Sequence, residues 1–254
     1  MTDQPETQRV EPEPIEVPPP RQPVFNLAGV VVVLIGLCGA IHALQVYLFS
    51  LDPEMWAEFL SRAAFIPLLY SGQFEMDVFA ISAPVTYSLL HANLTHLAIN
   101  MVWLLAFGSP LANRMGTWRF LLFWVVTALA AAALHYVFHR YDATPLVGAS
   151  GAIAGMMGAA ARFGFRIDRS AKKPAFSGRP LPILFVLRLR PVVTFLAIWM
   201  AINLLSGLFG LVPGEEGAIA WEAHVGGFLA GFFGVGAFIP AERHGSRGPG
   251  LDVG

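Results

Sequence analysis

The stretch FNLAGVVVVLIGLCGAIHALQVYLF, residues 25–49, runs for 25 residues without an Asp, Glu, Lys or Arg. A helix needs about 20 apolar residues to cross a hydrocarbon core ~30 Å thick, so this stretch is long enough to span a membrane. It is longer than the ~7–15-residue apolar core of a secretory signal, and no small-residue cleavage site follows it cleanly. We therefore interpret it as a retained membrane anchor.

Further apolar stretches follow at residues 94–107, 117–138, 149–165, 191–212 and 219–240. The chain is 56% hydrophobic and only 13% charged, whereas soluble domains are typically about 25% charged. Between the first two stretches, residues 50–83 mix charges and proline with apolar residues, and we expect a long, partly membrane-embedded outer loop there. The sequence predicts an all-α polytopic membrane protein with six transmembrane helices and no internal repeat.

Lys and Arg residues are distributed unequally between the two sides of the predicted bundle. The loops on the side of the tails hold ten of them and the opposite loops hold two. The ten are Arg114, Arg119, Arg162, Arg166, Arg169, Lys172, Lys173, Arg179, Arg188 and Arg190, and the two are Arg62 and Arg140. Because basic loops stay in the cytoplasm, we expect a multi-pass protein of the bacterial inner membrane with both termini cytoplasmic.

Composition also divides the chain. Residues 1–24 are polar and proline-rich, which predicts a disordered cytoplasmic tail. Residues 25–240 form the predicted membrane domain, and residues 241–254 a cytoplasmic C-terminal tail. The net charge of −1 provides no dominant basic face, so nucleic acid is not an expected partner. The single cysteine, Cys38, cannot form an intramolecular disulfide.

Polar side chains inside apolar helices are costly in a bilayer and are therefore candidates for function. Those that matter lie in the second, fourth and sixth helices: His96, Asn100, Ser150, Glu222 and His224. With Arg162 near the inner surface, a rise of 1.5 Å per residue places Ser150 about 10 Å below the outer surface. The same measure places Asn100 and His224 at nearly this depth, which predicts a single site. His42 and His135 are assigned to packing or the interface, and His139 to solvent.

Small residues accompany the candidate reactive groups. Gly151 and Gly155 follow Ser150, while Gly227 and Gly231 follow His224, and small residues let helices approach closely in lipid. Such faces can bring the Ser150 hydroxyl within hydrogen-bond reach of an imidazole, the arrangement that activates a serine nucleophile. Glu222 precedes His224 by two residues, about 200° around a helix, and should point elsewhere. We therefore predict a dyad in which packing alone controls the imidazole tautomer.

Three strings, HANLTHLAIN (residues 91–100), GASG (148–151) and AHVGG (223–227), resemble the rhomboid intramembrane serine proteases of the bacterial six-helix type. They occur in the family's order on the matching helices, and the resemblance covers about residues 25–240. It implies Ser150 as nucleophile, His224 as general base, and His96, Asn100 and the Ser150 backbone N–H as oxyanion-stabilising groups. The residues it implies as structural near the site are His91, Gly148, Gly151 and Gly227.

The resemblance further implies a serine endopeptidase that cuts in or near the transmembrane segments of membrane proteins, without metal or cofactor. The expected partners are transmembrane substrates and the lipid bilayer, and the oligomeric state stays open. Two positions depart from the family pattern. Ala154 stands where many relatives have an aromatic residue against the histidine, and the first outer loop lacks their Trp-Arg pair, although Trp56 and Arg62 lie nearby.

Other interpretations of the same residues are possible. Taken singly, Ser150 in a Gly/Ala helix is a packing residue, and His96, Asn100 and His224 are interhelical hydrogen-bond partners. An inactive rhomboid-like protein that binds membrane proteins is one alternative function, against which the presence of both Ser150 and His224 counts. A transporter using intramembrane histidines is the other, but transporter sites usually lie between internal repeats, which the sequence lacks.

Overall fold

The structure, a computed structural model, describes residues 27–169, 173–209 and 220–240. The predicted tails, 1–24 and 241–254, lie outside the described residues, as do the first residue of the predicted sixth span and the end of the fifth. Helices dominate the described chain. They are α1 (Gly29–Leu51), α2 (Pro53–Ala63), α3 (Val78–Thr86), α4 (Leu94–Trp103), α5 (Ser109–Met115), α6 (Thr117–His139), α7 (Ser150–Arg162), α8 (Ile183–Val186), α9 (Arg190–Phe209) and α10 (Trp221–Gly234).

Short elements connect these helices. A 3₁₀ turn, Pro67–Tyr70, lies between α2 and α3, and another, Tyr87–Leu89, follows α3. A third, Val235–Phe238, extends α10. The loop after α7 contains a two-stranded antiparallel hairpin in which β1 (Ile167–Asp168) pairs with β2 (Ala175–Phe176).

Within the described residues, four helical stretches are long and apolar enough to cross a membrane: Gly29–Leu51, Leu94–Met115, Thr117–His139 and Arg190–Phe209. The predicted fourth and sixth spans correspond to α7 and α10, with 13 and 14 residues. At 1.5 Å per residue α7 is about 20 Å long, less than the hydrocarbon thickness. Since every residue from Gly151 to Ala161 is buried, the surrounding helices rather than lipid enclose α7. The all-α membrane-bundle class is confirmed.

The second span is longer than predicted. The sequence boundary at residue 107 is wrong, because a π-helical turn, Leu104–Gly108, continues α4 into α5. This wider turn lies directly before Pro110, whose missing N–H and ring disfavour a regular α-helical turn. The helix ends only at Gly116, whose φ is +81°.

Residues 50–83, the expected first outer loop, contain α2, a 3₁₀ turn and the first part of α3, and their partial embedding in the membrane stays a prediction. Asp52 caps α2 by accepting the Glu54 backbone N–H at 2.9 Å. The ring of Trp56 packs on Phe49 with centroids 5.6 Å apart, and the guanidinium of Arg62 lies 5.0 Å from the Phe79 ring centroid. The aromatic and basic residues singled out in this loop therefore link α2 to α1 and α3.

The centre of the bundle is built by backbone contact between α7 and α10, which run parallel. A Cβ atom on Gly227 would lie 1.9 Å from the Gly151 carbonyl oxygen. One on Gly231 would lie 1.9 Å from the Gly155 carbonyl oxygen. No side chain fits at either contact, so these glycines are required by the interhelical distance.

The long helix α6 packs antiparallel against both short helices. Its Ala131 and Thr127 side chains cover Gly151 and Gly155 of α7, respectively. On α10, a Cβ on Gly226 would lie 2.5 Å from the Ala130 carbonyl oxygen. The three helices α6, α7 and α10 therefore form the core, and the first turns of α7 and α10 lie at the same end of it.

The substitution Gly231→Ala tests this core away from the candidate site. Its methyl group has no room against α7, so we expect the free energy of unfolding to fall by about 1–3 kcal/mol, as for overpacked cores. Thermal unfolding in detergent measures the change. Gly234→Ala is the matched control on the same helix, because nothing lies within 4 Å of its Cβ position. Equal melting temperatures for the two variants would contradict the close contact.

Candidate active site

The turn before α7 places Ser150. Gly148 has φ +121°, a conformation that side chains disfavour, and its backbone N–H donates to the Tyr87 carbonyl at 3.0 Å. A Cβ on Gly148 would lie 2.8 Å from Nε2 of His96 and 3.6 Å from Oγ of Ser150. The bare glycine backbone thus leaves room for the His96 ring next to the turn that carries Ser150.

Tyr87 supports this turn and was not identified from the sequence. Its side chain is buried, its hydroxyl donates to the Ala128 carbonyl on α6 at 2.9 Å, and the same oxygen lies 3.2 Å from the Cβ position of Gly151. One residue therefore holds both the backbone of Gly148 and the first turn of α7. No sequence signal distinguished this tyrosine, because its hydrogen-bond partners Ala128 and Gly148 lie more than 40 residues away.

Ser150 is the first residue of α7, and the helix start supplies hydrogen-bond donors. The first helical hydrogen bond runs from the Ile153 N–H to the Ala149 carbonyl, at 2.9 Å. The backbone N–H groups of residues 150–152 therefore precede the helical ladder. Such groups, at the positive end of a helix dipole, are suited to bind a negatively charged oxygen.

The first turn of α10, which carries His224, packs against the first turn of α7, which carries Ser150. The Ala223 carbonyl oxygen lies 3.7 Å from the Cβ position of Gly151, so the residue after Ser150 contacts the residue before His224. Both Ser150 and His224 are half-buried. The predicted close packing of the two glycine-rich faces is therefore present at this end, while a hydrogen bond between Ser150 and His224 stays a prediction.

The imidazole of His224 is held by Asn203 of α9. The Nδ1 atom of His224 hydrogen-bonds to Oδ1 of Asn203, and Nδ2 of Asn203 donates to the Trp199 carbonyl at 2.8 Å. Because the amide nitrogen is engaged with Trp199, the amide oxygen faces His224 and accepts its Nδ1–H. This leaves Nε2 of His224 as the nitrogen that can accept a proton.

This hydrogen bond corrects the expectation that packing alone controls the tautomer. Ala154 provides no ring to stack on the imidazole, and the buried Asn203 amide provides a polar partner instead. Asn203 could have been found from the sequence, because it is a hydrogen-bonding side chain in an otherwise apolar span. Glu222 points away from the site, as predicted, and its carboxylate hydrogen-bonds to His139 on α6.

His96 and Asn100 lie one turn apart on α4. The Asn93 side chain caps this helix by accepting the His96 backbone N–H at 2.8 Å. Asn100 is buried, and its Nδ2 donates to the His96 carbonyl at 3.0 Å, which leaves the second hydrogen of that amide for another acceptor. The structure brings the His96 ring to the Ser150 turn, while the approach of Asn100 to Ser150 stays a prediction.

His91 links the start of this region to α1. Its backbone N–H donates to Oε1 of Gln45 at 3.3 Å, and its carbonyl accepts from Nδ1 of His42 at 3.2 Å. Its ring is fully buried, and burial together with the nearby His96 and His42 lowers the pKa of His91 to about 3. A neutral, enclosed imidazole of this kind is suited to the structural role expected of it.

The site just described falls within a range recognised by a family model. The family model of the Rhomboid domain matches residues 79–240, which include every candidate site residue. This chain belongs to the rhomboid family. It is an integral membrane protein, and the family match covers the helices from α3 to α10.

Two curated relatives resemble this rhomboid chain. The rhomboid protease GluP of Bacillus subtilis (strain 168) is 30% identical over 153 residues, which are 60% of this chain and 25% of that protein. The rhomboid protease GlpG of Enterobacter sp. (strain 638) is 25% identical over 146 residues, which are 58% of this chain and 44% of that protein. The match therefore spans less than half the length of either relative.

Proposed function

We propose that this rhomboid is an intramembrane serine endopeptidase that hydrolyses peptide bonds in or near the transmembrane segments of membrane proteins. The observation that carries the proposal is the packing of the first turns of α7 and α10, where the Ala223 carbonyl oxygen lies 3.7 Å from the Cβ position of Gly151. This packing supports a pairing of Ser150 with His224. The Asn203 hydrogen bond supports it, because it leaves Nε2 of His224 as a base. The relatives named as proteases agree with this function.

In the proposed reaction the Ser150 hydroxyl oxygen attacks the carbonyl carbon of the scissile bond, and its proton passes to Nε2 of His224. The bond from Nδ1–H to Asn203 stabilises the imidazolium that forms. His224 then gives the proton to the leaving amine as the C–N bond breaks. Water, deprotonated by the same imidazole, hydrolyses the resulting ester and releases Ser150.

The oxygen of the tetrahedral intermediate needs fixed donors in a site of low dielectric constant. The Ser150 backbone N–H is available at the start of α7. His96 lies at the adjacent Gly148, and Asn100 has a second amide hydrogen. We assign these three groups to the oxyanion. The chemistry requires neither metal nor cofactor.

The proposed orientation places the active site on the outer side of a bacterial inner membrane, with both termini in the cytoplasm. Arg162 ends α7 opposite Ser150, where its guanidinium donates to the carbonyls of Leu181 and Phe232 at 2.9 and 2.7 Å. The basic loop that follows extends from this end. Its position supports a cytoplasmic face there, and the substrates would be transmembrane proteins entering from the bilayer.

The first prediction concerns the catalytic pair. Ser150→Ala and His224→Ala should each abolish cleavage, and the double variant should be scarcely worse, because residues that act as one unit are not additive. Fragments of a single-span substrate panel, mapped by mass spectrometry, measure the activity, and a fluorophosphonate probe reports on the serine. Multiplicative losses would argue against a pair. A folded chain that binds substrates but neither cuts nor labels would be the inactive alternative.

The second prediction concerns the oxyanion. Asn100→Ala should lower kcat by roughly 10–1000-fold, the scale of losing one oxyanion donor, with little change in KM. Steady-state kinetics in detergent or liposomes measure both constants. If KM rose while kcat held, Asn100 would be a substrate-binding residue.

The third prediction concerns Asn203 as a positioning residue. Asn203→Leu removes the acceptor for the His224 Nδ1–H, and we expect kcat to fall about 10–100-fold, less than loss of an entire general base. Asn203→Asp keeps an acceptor oxygen, so its kcat should be higher than that of the Leu variant. If Asn203 were purely structural, the Asp variant would not recover kcat in this way. Ser206→Ala is the matched control, since it removes another buried polar group of α9. Equal kcat values for the Leu variant and the control would exclude this role.

A further inference from the structure

A second cluster of polar side chains lies where α6 ends and α10 begins. His135 and His139 are one turn apart on α6, with ring centroids 4.5 Å apart. Glu222 of α10 faces them, and its carboxylate hydrogen-bonds to Nε2 of His139. Each of the three residues offers one ligand atom, and these atoms lie within 4.8 Å of one another. Among the described residues, they are the one such group.

The cluster is buried on one side and reachable on the other. His135 and Glu222 are 8% and 5% exposed, and Nδ1 of His135 and Oε2 of Glu222 are buried without a hydrogen-bond partner. Buried polar atoms without partners are destabilising and call for an explanation. The side chain of His139 is 35% exposed, which leaves a path from solvent to the cluster.

The ligand set is one that binds divalent transition-metal ions. Two imidazoles and a carboxylate are ligands that Zn²⁺ prefers, and three protein ligands leave a fourth position for water. Tetrahedral coordination at the usual bond lengths needs ligand atoms about 3.4 Å apart. The three ligand atoms, which lie within 4.8 Å of one another, would close to this spacing on binding the ion.

A further carboxylate lies beside His139. Oδ2 of Asp142 lies 3.8 Å from Nδ1 of His139, on the ring nitrogen that does not face Glu222. Histidines that ligate metals usually direct their second nitrogen to a carboxylate, carbonyl or water, which fixes the tautomer and the ring orientation. Asp142 is therefore placed to support His139 as a ligand through Nε2.

From these contacts we propose that His135, His139 and Glu222 form a zinc site that clamps the C-terminal end of α6 to the first turn of α10. The site is separate from the proposed catalytic pair, and it departs from the expectation of no metal. Glu222 is two residues before His224, so a bound ion would fix the turn that carries the imidazole. The proposal does not depend on protease activity.

Zinc binding to the purified full chain tests the site. The protein is isolated through a tag without histidine, freed of metal with a chelator, and titrated with Zn²⁺ by equilibrium dialysis and elemental analysis. We expect one zinc per chain and a higher melting temperature in its presence. His139→Asn and Glu222→Gln should each weaken binding at least about tenfold, the lower bound for losing even a supporting residue.

The matched control is His42→Asn, which removes a histidine of the same bundle that bonds to His91 rather than to the cluster. Its zinc affinity should equal that of the unaltered chain. Unchanged binding in the His139 and Glu222 variants would overturn the proposal, as would an absence of binding in the micromolar range. An absence of zinc binding would mean that the three residues form a hydrogen-bonded cluster only.

A second measurement covers the case in which a variant fails to fold. The unaltered chain is loaded with Co²⁺ as a spectroscopic probe, and its visible absorption is recorded. Tetrahedral coordination by nitrogen and oxygen gives a strong visible band, which is the expected result. Weak absorption, typical of octahedral cobalt, would overturn the proposed geometry.

Discussion

The backbone contact between α7 and α10 is the constraint on which the rest of the structure depends. Lipid tails are as apolar as the helices themselves, so close packing rather than the hydrophobic effect holds these helices together. Contact at Gly151–Gly227 and Gly155–Gly231 allows only one register between two parallel helices. That register brings the first turns of both helices together, and these turns carry a hydroxyl and an imidazole that are 74 positions apart in the chain.

The sequence predicted those features that follow from periodicity within a single helix. Hydropathy located the membrane helices, and the glycine spacing identified the two faces that meet. The direction of Glu222 away from His224 follows from 100° per residue and was confirmed. The predicted second span is too short. A π turn before Pro110 lets the helix continue past this proline, a residue that normally ends a helix.

Contacts between helices could not be predicted in the same way. Asn203 and Tyr87 act on residues at least 21 and 41 positions away, respectively, and no local pattern encodes such a pairing. The same is true of His135 and His139, which were assigned to packing and to solvent. His139 gains the Glu222 carboxylate as a partner because α10 packs against the end of α6. The rule that a polar side chain in an apolar helix needs a partner identifies such residues but does not name the partner.

Hydrogen bonds from two other helices hold the first turn of α10. His224 is bonded to α9 through Asn203, and Glu222, on the opposite face of the same turn, is bonded to α6 through His139. A turn held from two sides by polar contacts cannot rotate without breaking one of them, and such bonds are strong where water is excluded. An imidazole without an aromatic neighbour at Ala154 can therefore still keep one orientation. In this chain, directional hydrogen bonds rather than ring stacking orient the imidazole of His224.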